Sequence, residues 1–233
     1  MHRPSSRRGF QTLASLLLFP TLWLSANQPA RADILYHQPS NFSGGTVYAS
    51  QNDSGGFGNY ATVYDDFTLS HSSALTDVSW QGGFFNPSTA GTITGFTLTF
   101  SADKNGLPGR TLRTEFISGN ANQTSVGTEG TVPIYDYSAI LPSVFNAAGD
   151  KTYWLSIVPD LTLPSQWGWQ TGTGGDGQAV QDLLGSRSRL SSDMAFTLSG
   201  SPRAPAVPEG DSWEMLTAGM AALLLGSCWR IRR

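Results

Sequence analysis

The chain has 233 residues, a formal net charge of −3 and only 13% charged residues. That balance excludes a strongly basic nucleic-acid binder, a single cysteine excludes a disulfide scaffold, and a mean hydropathy of −0.18 excludes a multi-pass helical membrane protein. Twenty-six glycines and thirteen prolines indicate a turn-rich, all-β chain. At the N-terminus, Arg3, Arg7 and Arg8 precede an apolar stretch over residues 13–24, and Ala30-Arg31-Ala32 follows. Basic start, short apolar run and small residues at the cleavage positions read as a secretory signal over residues 1–32. Signal peptidase is then expected to cut after Ala32, leaving Asp33 first.

A β-rich domain is expected over residues 33–201. Strands are predicted at 61–69, 78–81, 84–85, 93–100, 112–118, 123–127, 132–141, 152–158, 166–169 and 194–198. Within 93–100, Phe96, Leu98 and Phe100 share one face while Thr97 and Thr99 take the other. Asp65 and Asp66, as strand neighbours, point to opposite faces. The 152–158 strand is apolar on nearly both sides, which places it centrally. Leu155 and Ile157 are assigned to the inter-sheet core, and Trp154 to a position beneath the glycine-rich stretch 172–177. Turn signals separate the strands, among them Asn86-Pro87, Asp103-Lys104-Asn105-Gly106 and Ala147-Ala148-Gly149-Asp150. Residues 178–184 fit either two helical turns or a strand running into a loop. About nine or ten strands at this spacing predict an antiparallel β-sandwich. Long connections at 82–91 and 159–165 favour a jelly-roll-like path.

Residues 202–208, rich in proline, read as an extended linker. Beyond it, Val207-Pro208-Glu209 precedes a tail that is uncharged from 215 to 229 and ends Arg230-Ile231-Arg232-Arg233. A hydrophobic helix is predicted over 213–229, bracketed by Trp213 and Trp229 as interfacial aromatics. The order of motif, helix and arginines over 207–233 resembles the PEP-CTERM sorting signal, with Gly210 in place of the second proline. The resemblance implies a substrate of an exosortase in a Gram-negative bacterium, held in the membrane by its C-terminal helix before processing. The central residues also resemble a β domain that recurs in exported proteins carrying this tail, through Asp65-Asp66-Phe67 and the runs 78–83, 96–109, 153–159, 166–177 and 193–200. No activity comes with that resemblance.

Signatures of chemistry are sparse. His2 belongs to the signal, and His37 and His71 stand apart in polar surroundings; no metalloprotease spacing and no nucleophile elbow occur. Between residues 33 and 209 there are fifteen carboxylates against seven basic residues, so the domain is acidic. Glu115 and Glu129 are its interior glutamates and the one conceivable glycosidase pair, though two solvated charges is the simpler reading. Asp103, Asn105 and Asp176, in glycine-containing loops, are calcium candidates of the kind seen in extracellular β domains. Trp167 and Trp169 share a strand face. Exposed, they would form a sugar platform; buried, they are core, which their polar and small neighbours Gln166, Gly168 and Gln170 favour. The expected function is that of a non-enzymatic protein of the cell surface or extracellular matrix, structural or adhesive. The alternative is a carbohydrate-binding module for exopolysaccharide; no cofactor is expected unless calcium binds.

Overall fold

The computed structural model describes residues 32–86 and 90–203. Those residues form fifteen strands and no helix: β1 (Asp33–Gln38), β2 (Val47–Ala49), β3 (Gln51–Asp53), β4 (Gly58–Thr68), β5 (Ser73–Phe84), β6 (Gly95–Asp103), β7 (Pro108–Ser118), β8 (Thr124–Glu129), β9 (Val132–Ala147), β10 (Thr152–Leu161), β11 (Trp167–Gly172), β12 (Ala179–Leu183), β13 (Ser186–Leu190), β14 (Asp193–Met194) and β15 (Phe196–Pro202). The first sheet centres on β5, which pairs with β9 on one side and with β15 and β11 on the other. Outside these lie β8 against β9, β1 against β15, and β2 and β14 against β11. The second sheet runs β13-β12-β4-β3-β10-β6-β7, with β4 also pairing β10. All pairings are antiparallel except β3 with β10.

Alternation explains how the two sheets meet. Along β4, Val63, Asp65 and Phe67 turn inward; along β6, Phe96, Leu98 and Phe100 do the same. The first sheet answers with Val78, Trp80, Tyr137, Phe145 and Phe196. Rings interlock across the gap: Trp80 meets Phe96 edge-on at 5.0 Å between centroids, and Phe100 stacks on Phe145 at 4.3 Å. Leu155 and Ile157 of β10 are fully buried in this core, as their alternation requires. The β6–β7 turn places Asn105 and Gly106 at φ 58° and 69°, the left-handed pair of a tight hairpin. Lys104 N–H donates to Leu107 O at 2.9 Å across it.

Of the two readings of residues 178–184 the strand holds: 179–183 form β12, which pairs with β4 and turns back as β13. Several other expectations are corrected. Strands β1 to β3 arise from residues 33–53, whose mixed polarity gave no alternation to read. The connection expected at 159–165 is shorter, because β10 continues to Leu161, and the one expected at 82–91 starts later, because β5 continues to Phe84. Pro202 is still paired, opposite Ser73, and Arg203 N–H donates to Ser72 O, so the domain reaches past the expected linker start. Trp154 is buried, yet not beneath 172–177: its Nε1–H donates to Asp103 Oδ1 at 2.9 Å, so the β6–β7 turn holds it. The glycine-rich stretch instead wraps Asp193, whose carboxylate accepts N–H bonds from Gly175 and Gly177. Residues 1–31 of the signal expected over 1–32, and the tail over 207–233, including Val207, Pro208 and Glu209, lie outside the described residues. Among the described residues no helix is long and apolar enough to cross a membrane.

Candidate functional site

The inward residues of each strand are committed to the core, so any binding surface must be built from the outward ones. On the first sheet these are a mixture of hydroxyl, amide and acidic side chains with exposed apolar ones, Ile34 and Ile140 among them. His37 of β1, Thr197 of β15, Ser79 of β5 and Ser138 of β9 stand opposite one another in successive pairs, making one row across four strands. At about 4.8 Å per step the row is roughly 14 Å long. It forms the floor of a groove of about 440 Å³. Pro39 and Ser40 beyond β1 line it on one side, and Asn122 and Thr124 line it near β8.

The floor is partly tied together. His37 Nδ1 and Thr197 Oγ1 share a hydrogen bond of 2.8 Å, and Gln81 Nε2 donates to Asp136 Oδ1 at 2.7 Å. Asn122 Nδ2 donates to Ser138 O at 3.2 Å. Four polar atoms of lining residues, Gln38 Oε1, Ser40 Oγ, Trp80 Nε1 and Gln81 Oε1, are shielded from solvent and have no hydrogen-bond partner. Polar atoms removed from water without a partner cost stability. The side chains of Ser79, Ser138, Thr197, Thr124 and Asn122 in the lining both donate and accept, so the groove suits a ligand dense in hydroxyls.

At the inner end of the groove, Gln38 turns inward and joins the sheets. Its Nε2 donates to Asp65 Oδ2 at 2.9 Å, and the same oxygen accepts Met194 N–H at 2.6 Å. Burial pushes the Asp65 carboxyl well above the ordinary carboxylate range; the Met194 N–H opposes this, and the charges of Asp193 and Asp66 add to it. Asp66, on the outer face, is pushed up to about 6, first by burial and then by the charge of Asp176.

The residues singled out in the sequence lie elsewhere. Trp167 and Trp169 do share a face, but it is the inner one, and both rings are fully buried. Trp167 Nε1–H donates to Tyr137 Oη at 3.1 Å, and Trp169 Nε1–H to Ala195 O at 2.9 Å. An exposed sugar platform made of these two rings is thereby overturned. Asp103 accepts from Gly106 N–H and from Trp154, whereas Asp176 accepts from Gln178 N–H, each within its own loop system. Asn105 is a turn residue. Among the described residues no group of three or more His, Cys, Asp or Glu side chains is placed to hold a metal ion. Glu129 is engaged by Gly45 N–H and Gln170 Nε2, and Glu115 lies 3.7 Å from Arg113; neither lines the groove. His37 was noted in the sequence without a role. Ser79, Ser138 and Thr197 were missed, because single hydroxyls in a hydroxyl-rich chain carry no signal until strand register aligns them.

Residues 34–199 match the model of one protein family, DUF7901, described as a domain of unknown function. No curated protein matches the chain.

Proposed function

We propose a role for this chain, which belongs to the DUF7901 family: it is an exported, jelly-roll-like β-sandwich of the cell surface or extracellular matrix that adheres to exopolysaccharide without catalysis. Export rests on the two ends of the sequence, a secretory signal over 1–32 and a PEP-CTERM-like tail over 207–233. Signal peptidase and an exosortase are the processing partners of this reading. The tail helix holds the protein in the membrane until the exosortase acts.

Adhesion rests on the groove over His37, Thr197, Ser79 and Ser138. The observation that carries it is the row of hydrogen-bonding side chains, His37, Thr197, Ser79 and Ser138, aligned across four strands along the floor of the groove. A polysaccharide segment lying across the strands presents hydroxyls to this row. The binding energy then comes from many modest hydrogen bonds in place of aromatic stacking. Such a site gains most from a long polymer that engages many copies of the protein at once.

The test is binding of the full exported protein to exopolysaccharide prepared from the producing strain, immobilised on a sensor surface. Replacing Ser79 and Thr197 together by Val keeps strand propensity and removes two floor hydroxyls. The reading expects binding by the parent and a clear loss in the double variant, with thermal melts of the two proteins close together. A parent protein that ignores the polymer refutes it.

A further inference from the structure

The outer face of the second sheet carries its own row. Tyr64 of β4, Ser156 of β10, Thr99 of β6 and Thr114 of β7 stand opposite one another in successive pairs. They are the counterparts, on the far side of the sandwich, of the His37–Ser138 row. Above them lies a second groove of about 340 Å³. Its wall at β13 is Arg187, whose guanidinium sits over the Tyr64 ring at 5.7 Å and reaches Pro108 O at 3.5 Å. Asp182 bonds the same guanidinium at 3.4 Å, and Asp160 also lines the groove, so the channel has no excess positive charge. Thr99 and Thr114 share a long hydrogen bond of 3.5 Å. The hydroxyls of Thr97, Ser101, Thr111 and Ser156 also line this groove.

Polar residues on a sheet's solvent face need no explanation singly. Ser101 and Ser156, however, are only 3% exposed. They lie at the bottom of a channel, where a bound hydroxyl is a more constrained partner than bulk water. The chemistry matches that of the first groove: no excess positive charge, rich in hydroxyls, about four strands wide.

We propose that this second groove also takes a neutral saccharide segment, and that the protein is therefore bivalent, a cross-linker of two polysaccharide strands held on opposite faces of one sandwich. The inference rests on the saccharide reading of the first groove and adds a consequence that one groove cannot have. A one-sided binder coats a polymer. A two-sided one bridges polymer chains and thickens the matrix, most strongly below saturation and less so when excess protein occupies every site singly.

The experiment uses the full exported protein, confirmed monomeric by light scattering, with exopolysaccharide from the producing strain. Binding is read on an immobilised film, and bridging as low-shear viscosity of the polymer in solution. Two double variants are compared with the parent: Ser79→Val with Thr197→Val in the first groove, and Thr99→Val with Thr114→Val in the second. Removing two hydroxyl contacts should weaken the affected face by about tenfold or more. The expected result is that the parent binds and raises viscosity with a maximum at intermediate protein. Each double variant should bind the film with lower apparent affinity than the parent, and neither should raise viscosity. Parent-like affinity and thickening in the Thr99/Thr114 variant overturn the second groove while leaving the first intact. Binding by the parent without any thickening overturns bivalency alone. No binding by the parent overturns both readings together. Circular dichroism melts of the variants identify misfolding; a second-groove variant that fails to fold is replaced by Thr97→Val with Thr111→Val, read in the same way.

Discussion

The carboxyl of Asp65 sits inside the sandwich, where an ionised group is costly. Its alternation with Asp66 is plain in the sequence, and so is the opposite facing of the two side chains. Its partners are not: Gln38 lies 27 residues before it and Met194 129 residues after it, and nothing local connects them. Both aspartates have folded-state pKa values raised above the usual 3.8, Asp66 to about 6. The native state thus holds protons that the unfolded chain releases. Their stabilising contribution is full below about pH 3.8 and is lost as pH rises through the folded-state values. Asp53 opposes this at the acid end. Backbone N–H groups of Phe57, Leu163 and Gly55 hold its pKa down, so its contribution is lost as pH falls below the usual carboxylate range. The melting temperature should therefore decline between pH 5 and pH 7, and Asp66→Asn should flatten that decline. Melts across this range check it; a curve that rises toward pH 7 contradicts the assignment.

Elements were legible where the core face repeats without interruption. The 93–100 and 152–158 strands appear as β6 and β10 because Phe96, Leu98 and Phe100, and Tyr153, Leu155 and Ile157, recur every second residue. The short strands between residues 33 and 53 were illegible because their buried side chains, Gln38, Gln51 and Asp53, are polar and leave no apolar stripe. The close approach of glycine to an indole was anticipated in kind and misplaced. The glycine against a tryptophan is Gly82 of β5, where an added Cβ would collide with the Trp167 ring, and the partner of Trp154 is the Asp103 turn. Gly82→Ala should destabilise the fold by about 1–3 kcal/mol through overpacking. Leu155→Ala, at a fully buried site, should cost ~2–5 kcal/mol through lost burial and a cavity. Urea unfolding measures both; a Leu155→Ala protein as stable as the parent would mean that β10 does not present that face to the core.

The whole molecule combines a domain with two polar outer faces and two sequence ends that read as addresses. The reading of those ends rests on the sequence alone, where charge, apolar run and small residues follow one another in fixed order. The groove was illegible because its floor is assembled from β1, β15, β5 and β9, which lie far apart in the chain. Export makes its own prediction: intact-mass analysis of protein recovered outside the cell should show a first residue of Asp33 and no residues 215–233. A mass retaining the arginine-rich end would mean that the tail is a plain anchor. The most direct test of the central claim is a heteronuclear NMR titration of the isotopically labelled protein with oligosaccharides cleaved from the producing strain's exopolysaccharide. Saturable shifts should appear at the amides of His37, Ser79, Gln81, Ser138 and Thr197, with the buried Trp167 and Trp169 indole signals unmoved. Shifts absent from these strands, or centred on the two indoles, would contradict the account.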